Sequence, residues 1–539
     1  MHIPSKNSQY GGIIAGILIL SKVIHGARIM FYFALTSYSH RISVWPLVEN
    51  LAARNHSITF VSPYRSKTGL PAGVEDYVPM ALHNFISEIS KLSNPYKTRV
   101  EGTSTMQTFK VPFMGFVLCE FLLNDAEFLE YVKTNKFDLV VVDSFGNECA
   151  YGWTFLHGAK LILYSSGNPR EWHVDTVGYH DEGSWIPDKI FHPDPPLTFW
   201  DRSIGLFVPL VYHFVREYLL FPNLEDIIRA KLCPNFLSGS DFERNNTNLV
   251  LVNGHYGEDF GRPLPPNVVS VGGMQCNRSR NERLPREIAE FLEGANNGFI
   301  YTSFGSFLQV DSLPKERVEM IMRTLKRVNN SKILLKMEKS QARRYNLPNS
   351  NIYTMDWTPQ REILAHPKIR AFISHAGLLG IHEAICYAVP LLTFPMFGDQ
   401  DSNADKVAGR KIGLKLEITT ITGNQFMAAI KEVLTNKLYA ENMARQSAIF
   451  RDRPSHPVDT AVWWTEYVLR HSDTSHLRPL SVHQPWWMKR HVDVWFCIFS
   501  SISISLTVSV LIFKIIMKAL YIRYTRRRDI KESPKLKES

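Results

Sequence analysis

His375-Ala376-Gly377-Leu378-Leu379-Gly380 follows a short apolar run, Ala371 to Ser374, and precedes residues that read as a helix to about Ala388. Small residues at a strand-to-helix turn let the backbone approach a ligand closely. The helix N-terminus beyond them offers unpaired N–H groups and a positive dipole end, which suits a diphosphate, and His375 adds a side-chain donor. By themselves Gly377 and Gly380 serve tight packing equally well. Two more side chains with catalytic chemistry stand at strand ends: His40 follows the first apolar strand in Tyr38-Ser39-His40, and Asp143 closes Val140-Val141-Val142. An imidazole with a pKa of about 6.5 can take a proton from an attacking hydroxyl. A carboxylate on its other ring nitrogen would fix the tautomer and stabilise the imidazolium. Singly, each residue is as readily a strand-end cap.

The elements that must position these groups alternate. Ala27 to Ala34 reads as a strand, Ser43 to Arg54 as a helix and Ser57 to Ser62 as a second strand. Phe137 to Val142 and Lys160 to Tyr164 are buried-type strands around a helical stretch at 147–157, which predicts a parallel sheet covered on both faces. The aromatic segment Phe207 to Phe221 suits the lining of an apolar acceptor pocket, a membrane surface or a packed helix. Past a charged stretch between Cys276 and Glu287, the runs Phe299–Ser303, Ile333–Lys336, Ile352–Met355, Ala371–Ser374 and Leu391–Phe394 predict a second doubly wound α/β domain. Ligands of such sheets sit at the carboxyl ends of the strands, where His40, Asp143 and His375 all lie.

The 539 residues, 45% hydrophobic and 21% charged, describe a folded chain of two or three domains. Of the net charge of +10, residues 514–539 hold +6, from nine Lys/Arg against three Asp/Glu. The basicity is therefore local and gives no reason to expect nucleic acid as a partner. Val494 to Phe513 is uncharged and is followed by Lys514, Lys518, Arg523 and Arg526-Arg527-Arg528, the pattern of one membrane span with its basic flank cytosolic. Lys6 ahead of the apolar run Gly11–Leu20 reads as a signal peptide; a signal anchor needs a longer run than Lys22 permits. The chain ends Lys535-Leu536-Lys537-Glu538-Ser539, similar to a dilysine retrieval signal of endoplasmic reticulum membrane proteins. A single-pass type I protein of that membrane, with its large domains lumenal, is expected. Asn55, Asn245, Asn277 and Asn329 head glycosylation sequons. Cys119, Cys149, Cys233, Cys276 and Cys386 show no metal spacing and no disulfide framework, and their odd number leaves a thiol free or paired with another chain.

Around the glycine turn stand Trp357-Thr358-Pro359-Gln360, Leu364-Ala365-His366-Pro367, Glu383-Ala384 and Phe394-Pro395-Met396-Phe397-Gly398-Asp399-Gln400, closing near Asn403. Trp357 to Asn403 resembles the signature of the UDP-glycosyltransferase family over its full length. The likeness extends to Phe304-Gly305-Ser306, to Val271-Gly272-Gly273 and to 462–479 with the membrane segment, as in membrane-bound animal UDP-glucuronosyltransferases and UDP-glucosyltransferases. The resemblance implies two facing Rossmann-like domains of GT-B type plus one C-terminal transmembrane helix. Along the chain this gives a signal peptide at 1–26, an acceptor-binding domain at 27–275, a linker at 276–287 and a UDP-sugar-binding domain at 288–450. Crossover helices and a juxtamembrane segment follow at 451–493, then the span at 494–513 and a basic tail at 514–539.

The resemblance also implies roles. Trp357 would stack on uracil, Gln360 would bind near uridine, and Glu383 would accept from ribose hydroxyls. Ser306, His375, Gly377 and Gly380 would hold the diphosphate, while Asp399 and Gln400 would bind the transferred sugar. His40 and Asp143 would form the catalytic dyad. The expected reaction is inverting transfer of glucose or glucuronate from UDP-glucose or UDP-glucuronate to a hydroxyl of a small lipophilic acceptor. It would give a β-glycoside for conjugation, with no metal and no cofactor. Two positions depart from the family pattern, Ala376 where Gly is usual and Leu379 where Asn or another polar residue is usual. They leave open a second reading, a UDP-sugar-binding homologue of weak turnover that partners an active enzyme. A lectin-like ectodomain is a third, for which Trp357 and the phosphate turn would be dispensable. Self-association or pairing with a homologue stays undecided at this level, as do donor and acceptor identity.

Overall fold

The computed structural model describes residues 26–67, 69–92, 94–103, 111–170, 172–178, 183, 185–187, 196–276, 284–305, 310 and 313–532. The expected signal peptide, apart from Gly26, therefore lies outside the described residues, as do most of the charged stretch after Cys276 and the dilysine ending.

Seven parallel strands form the first sheet: β1 (Arg28–Tyr32), β2 (Ser57–Val61), β3 (Val74–Tyr77), β4 (Leu139–Asp143), β5 (Lys160–Ser165), β6 (Thr247–Val252) and β7 (Val268–Ser270). Their spatial order is β3-β2-β1-β4-β5-β6-β7. The second sheet holds β8 (Phe299–Ser303), β9 (Lys332–Lys336), β10 (Ile352–Met355), β11 (Ile369–Ser374), β12 (Leu391–Thr393) and β13 (Gly413–Lys415), in the order β10-β9-β8-β11-β12-β13. Both sheets reverse strand order once, between β1 and β4 and between β8 and β11, and such a reversal opens a crevice at the carboxyl ends. Adjacent residues of each central strand feed opposite cores. Ile29 and Phe31 pack on one face of the first sheet, Met30 and Tyr32 on the other. Phe299 and Tyr301 likewise separate from Ile300 in the second. Two-sided burial explains why these strands read as continuous apolar runs.

Four strands escape the sequence reading. β3 (Val-Glu-Asp-Tyr) lies at the edge and is only half buried, β7 and β13 are three residues long, and β6 begins Thr-Asn. β3, β7 and β13 lack the apolar run by which a strand is recognised, and in β6 the run Leu249–Val252 is only four residues long and follows two polar ones. The helix Pro457–Arg470 returns to the first sheet, placing Val458, Ala461, Val462 and Val468 in its core and Glu466 3.1 Å from Arg54.

The cysteines overturn the expectation of no disulfide framework. Cys119 pairs with Cys149 and Cys276 with Cys386, leaving Cys233 as a buried free thiol. The partners stand 30 and 110 residues apart, so only folding brings them together.

Both sheets with their helices belong to one compact unit that runs through Pro479. Residues from Leu480 form a second unit, dominated by the 41-residue helix Val492–Glu532. That helix includes the uncharged stretch 494–513 and continues through the basic residues beyond it. It is long and apolar enough to cross a membrane.

Candidate active site

β1 and β4 are neighbours, with Tyr32 level with Val142, so the chain leaving β1 and the last residue of β4 emerge together at the crevice. His40 stands in the first turn of the helix Tyr38–Ala52. Its Nδ1 lies 2.7 Å from Asp143 Oδ2, and Thr36 Oγ1 donates to the same oxygen at 3.3 Å. Asp143 is buried, while a quarter of the His40 side chain (26%) meets solvent. Burial disfavours the imidazolium, yet the Asp143 charge and hydrogen bond outweigh it, so the His40 pKa stands above its usual value. Asp399 of the second sheet's crevice adds to this rise and Arg170 opposes it. With Nδ1–H given to Asp143, Nε2 carries the lone pair that accepts a proton.

Two residues absent from the sequence reading hold this pair. Asn147 Oδ1 accepts from the Ala34 and Leu35 N–H groups at 3.0 and 2.7 Å, and its NH₂ donates to the carbonyls of Leu35 and Phe145. It thereby staples the loop before His40 to the loop after Asp143. An Asn one residue past Gly146 in a turn is the signal that could have marked it. Arg41, almost fully buried, donates to Asp76, to Ser62 Oγ and to the Tyr64 carbonyl, and its guanidinium lies over the Trp45 and Phe60 rings. The planar fork pins the helix that carries His40.

In the second sheet Ser303 of β8 pairs with Ser374 of β11, so Phe304-Gly305 and His375 leave the sheet side by side. A Cβ on Gly305 or on Gly377 would come within 2.5 Å of the His375 ring, and Gly305 has φ +88°. The two glycines thus make room for the imidazole. Burial, aided by the Lys336 charge and opposed by Asp399, pushes the His375 pKa down to about 4. His375 is therefore a neutral hydrogen-bond donor rather than a cation near pH 7. A cation near it is Lys336, at the end of β9: it donates to the Gly305 carbonyl at 2.6 Å, and burial and the nearby Lys67 charge bring its pKa down to about 8. Ser306 lies outside the described residues. Gly380 sits in the first turn of the helix Leu378–Cys386, where a Cβ would lie 3.6 Å from Gln360.

A buried chain of hydrogen bonds joins the residues expected at uridine. Tyr301 Oη is 2.6 Å from Thr358 Oγ1 and donates to Gln360 Oε1 at 3.1 Å, while Gln360 Nε2 donates to Glu383 Oε2 at 2.6 Å. Burial raises the Glu383 pKa to about 7, against the Gln360 hydrogen bond and the Arg361 charge. Trp357 is met edge-on by Tyr38 at 5.4 Å and carries the Lys67 ammonium 3.5 Å from its ring centre. The first domain therefore touches the expected uracil platform. Asn403 Nδ2 donates to Asp399 Oδ2 at 3.0 Å and to the Ala376 carbonyl at 3.1 Å, coupling the expected sugar-binding turn to the phosphate turn. Gln400 Oε1 is taken by the Met396 and Phe397 N–H groups, which leaves its NH₂ as the group for a ligand. Beside Tyr38 opens a cavity of about 460 Å³ whose walls include Tyr64, Val78, Met80 and His83 as well as Arg65.

Residues 32–531 match the family model described as UDP-glucoronosyl and UDP-glucosyl transferase. The chain belongs to this family. It is 28% identical over 497 residues to UDP-glucosyltransferase 2 of Dactylopius coccus, covering 89% of this chain and 92% of that protein. It is 29% identical over 489 residues to mouse UDP-glucuronosyltransferase 1A7, covering 88% and 89%. Among solved structures, glycosyltransferase VinC in complex with DTDP superposes with a TM-score of 0.53 at 15% identity over 82% of this chain and 100% of that one. A UDP-glucosyltransferase from Polygonum tinctorium gives 0.53 at 15% identity over 83% and 99%. The fold is GT-B. The reading as a weakly active partner is not favoured, because the chain spans most of the length of relatives named for sugar transfer.

In this UDP-glycosyltransferase the two domains are also joined away from the reacting groups. Arg99, on the helix Pro95–Val100 of the first domain, donates twice to Asp401 (2.9 and 3.1 Å) and reaches Glu417 at 2.6 Å. Asp401 follows the Asp399-Gln400 pair directly, so a first-domain charge props the expected sugar-binding turn. Glu258 meets Lys406 at 3.1 Å and His382 at 3.4 Å. Ala376 adopts φ +65° and is fully buried, a left-handed position that a glycine fills without strain. Asn55, Asn245 and Asn329 are exposed, and Asn277 lies outside the described residues.

Proposed function

We propose that this enzyme transfers glucose or glucuronate from its UDP-sugar to a hydroxyl of a small lipophilic acceptor, by single displacement with inversion, giving a β-glycoside in a conjugation role. The observation that carries this reading is the 2.7 Å contact between His40 Nδ1 and Asp143, which leaves Nε2 as a base at the crevice. The acceptor hydroxyl gives its proton to His40 Nε2 as its oxygen bonds to the anomeric carbon from the side opposite UDP. The sugar–phosphate bond breaks on the far side. Lys336, the first N–H groups of the helix Leu378–Cys386 and neutral His375 receive the charge that develops on the leaving diphosphate. Charge stabilisation comes from these side-chain and backbone groups, and the proposed reaction uses no metal and no cofactor.

Arg170, a first-domain cation within electrostatic reach of His40, is the candidate partner for a uronate carboxylate. The endoplasmic reticulum with lumenal catalytic domains is the proposed location, supported by an uncharged span followed by Lys514, Lys518, Arg523 and Arg526-Arg527-Arg528. The deciding experiment assays microsomal protein with UDP-glucose and UDP-glucuronate against a panel of phenols, for wild type and His40→Ala. Wild type transfers one of the two sugars, and the variant loses about 10²- to 10⁴-fold in kcat while still binding UDP. Equal rates in the two proteins would remove His40 from the chemistry.

A further inference from the structure

Between β3 and β4 a short piece of the first-domain chain packs on the second sheet. The helix Pro95–Val100 opens with Asn94, whose Oδ1 accepts the Lys97 N–H at 2.9 Å. Its Tyr96 lies against the core of the second sheet. Arg317 Nε donates to Tyr96 Oη at 3.3 Å, and the same guanidinium holds the Ile421 and Thr419 carbonyls. Arg99 makes the tie. Its Nη1 and Nη2 donate to Asp401 Oδ2 and Oδ1 at 2.9 and 3.1 Å, while Nε and Nη2 donate to Glu417 at 3.0 and 2.6 Å. Only 10% of the Arg99 side chain is exposed. Glu417 Oε1 also accepts from the Thr419 N–H and Oγ1 at 3.1 and 2.8 Å, so this carboxylate is fixed for the fork. Two carboxylates on the two edges of one planar guanidinium form an arrangement that a lysine cannot reproduce.

The tie falls on the element that carries Asp399 and Gln400. Asp401 stands in the first turn of the helix Gln400–Gly409, for which Asp399 is the N-cap residue. Gln400 and Asn403 are buried, and Asn403 bonds Asp399. Asp401 and Asp405, one turn apart on the helix, meet Lys415 at 3.3 and 2.7 Å. Asp401 is thus held by one cation from each domain. With Lys415 alone, a point charge shared between two carboxylates, the helix keeps a partner but loses the anchor that has a direction. The reach of Arg99 is selective. Among the described residues it bonds to none of Trp357, Gln360, Glu383, His375 and Lys336, the groups placed at the nucleotide, and only to the two acids beside the sugar turn.

We propose that Arg99 is a positioning residue for the transferred sugar: from the first domain it fixes the turn that presents Asp399 and Gln400. This rests on the reading of those two residues as sugar-binding. The expected partners of UDP are second-domain groups, so UDP affinity does not depend on the tie, whereas UDP-sugar affinity does. Calorimetry on the full chain in detergent micelles tests this with UDP, UDP-glucose and UDP-glucuronate and no acceptor, for wild type, Arg99→Met, Arg99→Lys and Asp399→Ala. Arg99→Met is expected to weaken the better-bound UDP-sugar about tenfold, the worth of one hydrogen bond to a charged group, and to leave UDP unchanged. Arg99→Lys, reaching one carboxylate at a time, falls between. Asp399→Ala, lacking the group that would touch the sugar, shows the same split between UDP-sugar and UDP. Equal losses for UDP and UDP-sugar in Arg99→Met would reduce the tie to a structural one and overturn the proposal. So would an unchanged UDP-sugar affinity in Arg99→Met beside a loss in Asp399→Ala. An unchanged UDP-sugar affinity in Asp399→Ala would instead remove the sugar-binding reading of the turn, and the proposal with it.

Discussion

His40 and His375 both stand where a sheet reverses its strand order, at the carboxyl end of parallel strands, and their chemistry is opposite. His40 faces Asp143 and is held above the usual histidine range. His375, buried with Lys336 in electrostatic reach and no carboxylate among the described residues bonded to Nδ1, is pushed down to about 4. The same fold and the same residue type therefore yield an imidazole paired with a carboxylate in one domain and a neutral imidazole in the other. Topology selects the place for chemistry, while the nearest charge selects the kind.

The widest break in this comparison is Asp143→Asn. Only neutral His40 accepts a proton, so wild-type kcat/KM climbs with pH through a midpoint above 6.5. Without the carboxylate, burial and Arg170 act unopposed by Asp143, and the midpoint shifts to lower pH while the plateau falls about 10²- to 10⁴-fold. A pH–rate profile whose midpoint stays in place would show that Asp143 does not set the His40 charge. In the other domain, Lys336→Met should cost about 10²-fold in kcat, as for loss of one charged group at a leaving oxygen. His375→Gln, which keeps a neutral donor, should cost less. The reverse order in single-turnover rates would make His375 the cation and end the contrast.

Glu383 sharpens the picture on the nucleotide side. With ribose hydroxyls donating to the carboxylate, as proposed, the ionised form should bind UDP better, and a pKa of about 7 then sets a loss of affinity of up to about fivefold from pH 7 to pH 6. Calorimetry on Glu383→Gln should give weaker binding that no longer changes across this range. The smallest effect is expected at Ala376, whose φ of +65° strains an alanine. Ala376→Gly should raise Tm by a degree or two, the gain of about 1 kcal/mol being partly offset by the greater freedom of glycine in the unfolded chain. A drop in Tm would place the value of the Ala376 methyl in packing.

The sequence was most legible where a function is built within one strand–turn–helix unit. Ala371 to Gly380 encodes a buried strand, a small-residue turn and a helix start in ten consecutive residues. Trp357, Gln360, Glu383, Asp399 and Gln400 fall within forty-four residues of one another, on neighbouring units of one sheet. Apolar runs likewise marked β1, β4, β8 and β11, the strands that define both crevices, because burial on two faces leaves a local mark. β3, half buried at an edge, and β13, three residues long, carry no such mark and went unseen.

The sequence by itself determined the chemical inventory: a small-residue strand-to-helix turn, a histidine and an aspartate at strand ends, and one apolar span. Tertiary structure decided what each piece does. His40 and Asp143, 103 positions apart, close to 2.7 Å only because β1 and β4 are neighbours. Arg99 finds Asp401 across 302 residues, Asn147 staples two loops, and Lys336, silent in the sequence, brings the positive charge to the phosphate turn. The helix Phe199–Lys231 is the plainest case. Its periodicity reports an apolar face, but whether that face meets the core or the outside depends on which side Arg216, Tyr212 and Phe221 hold against the domain. Spacing along a chain records local geometry, whereas charge environment and burial are set by residues distant in sequence and adjacent in space.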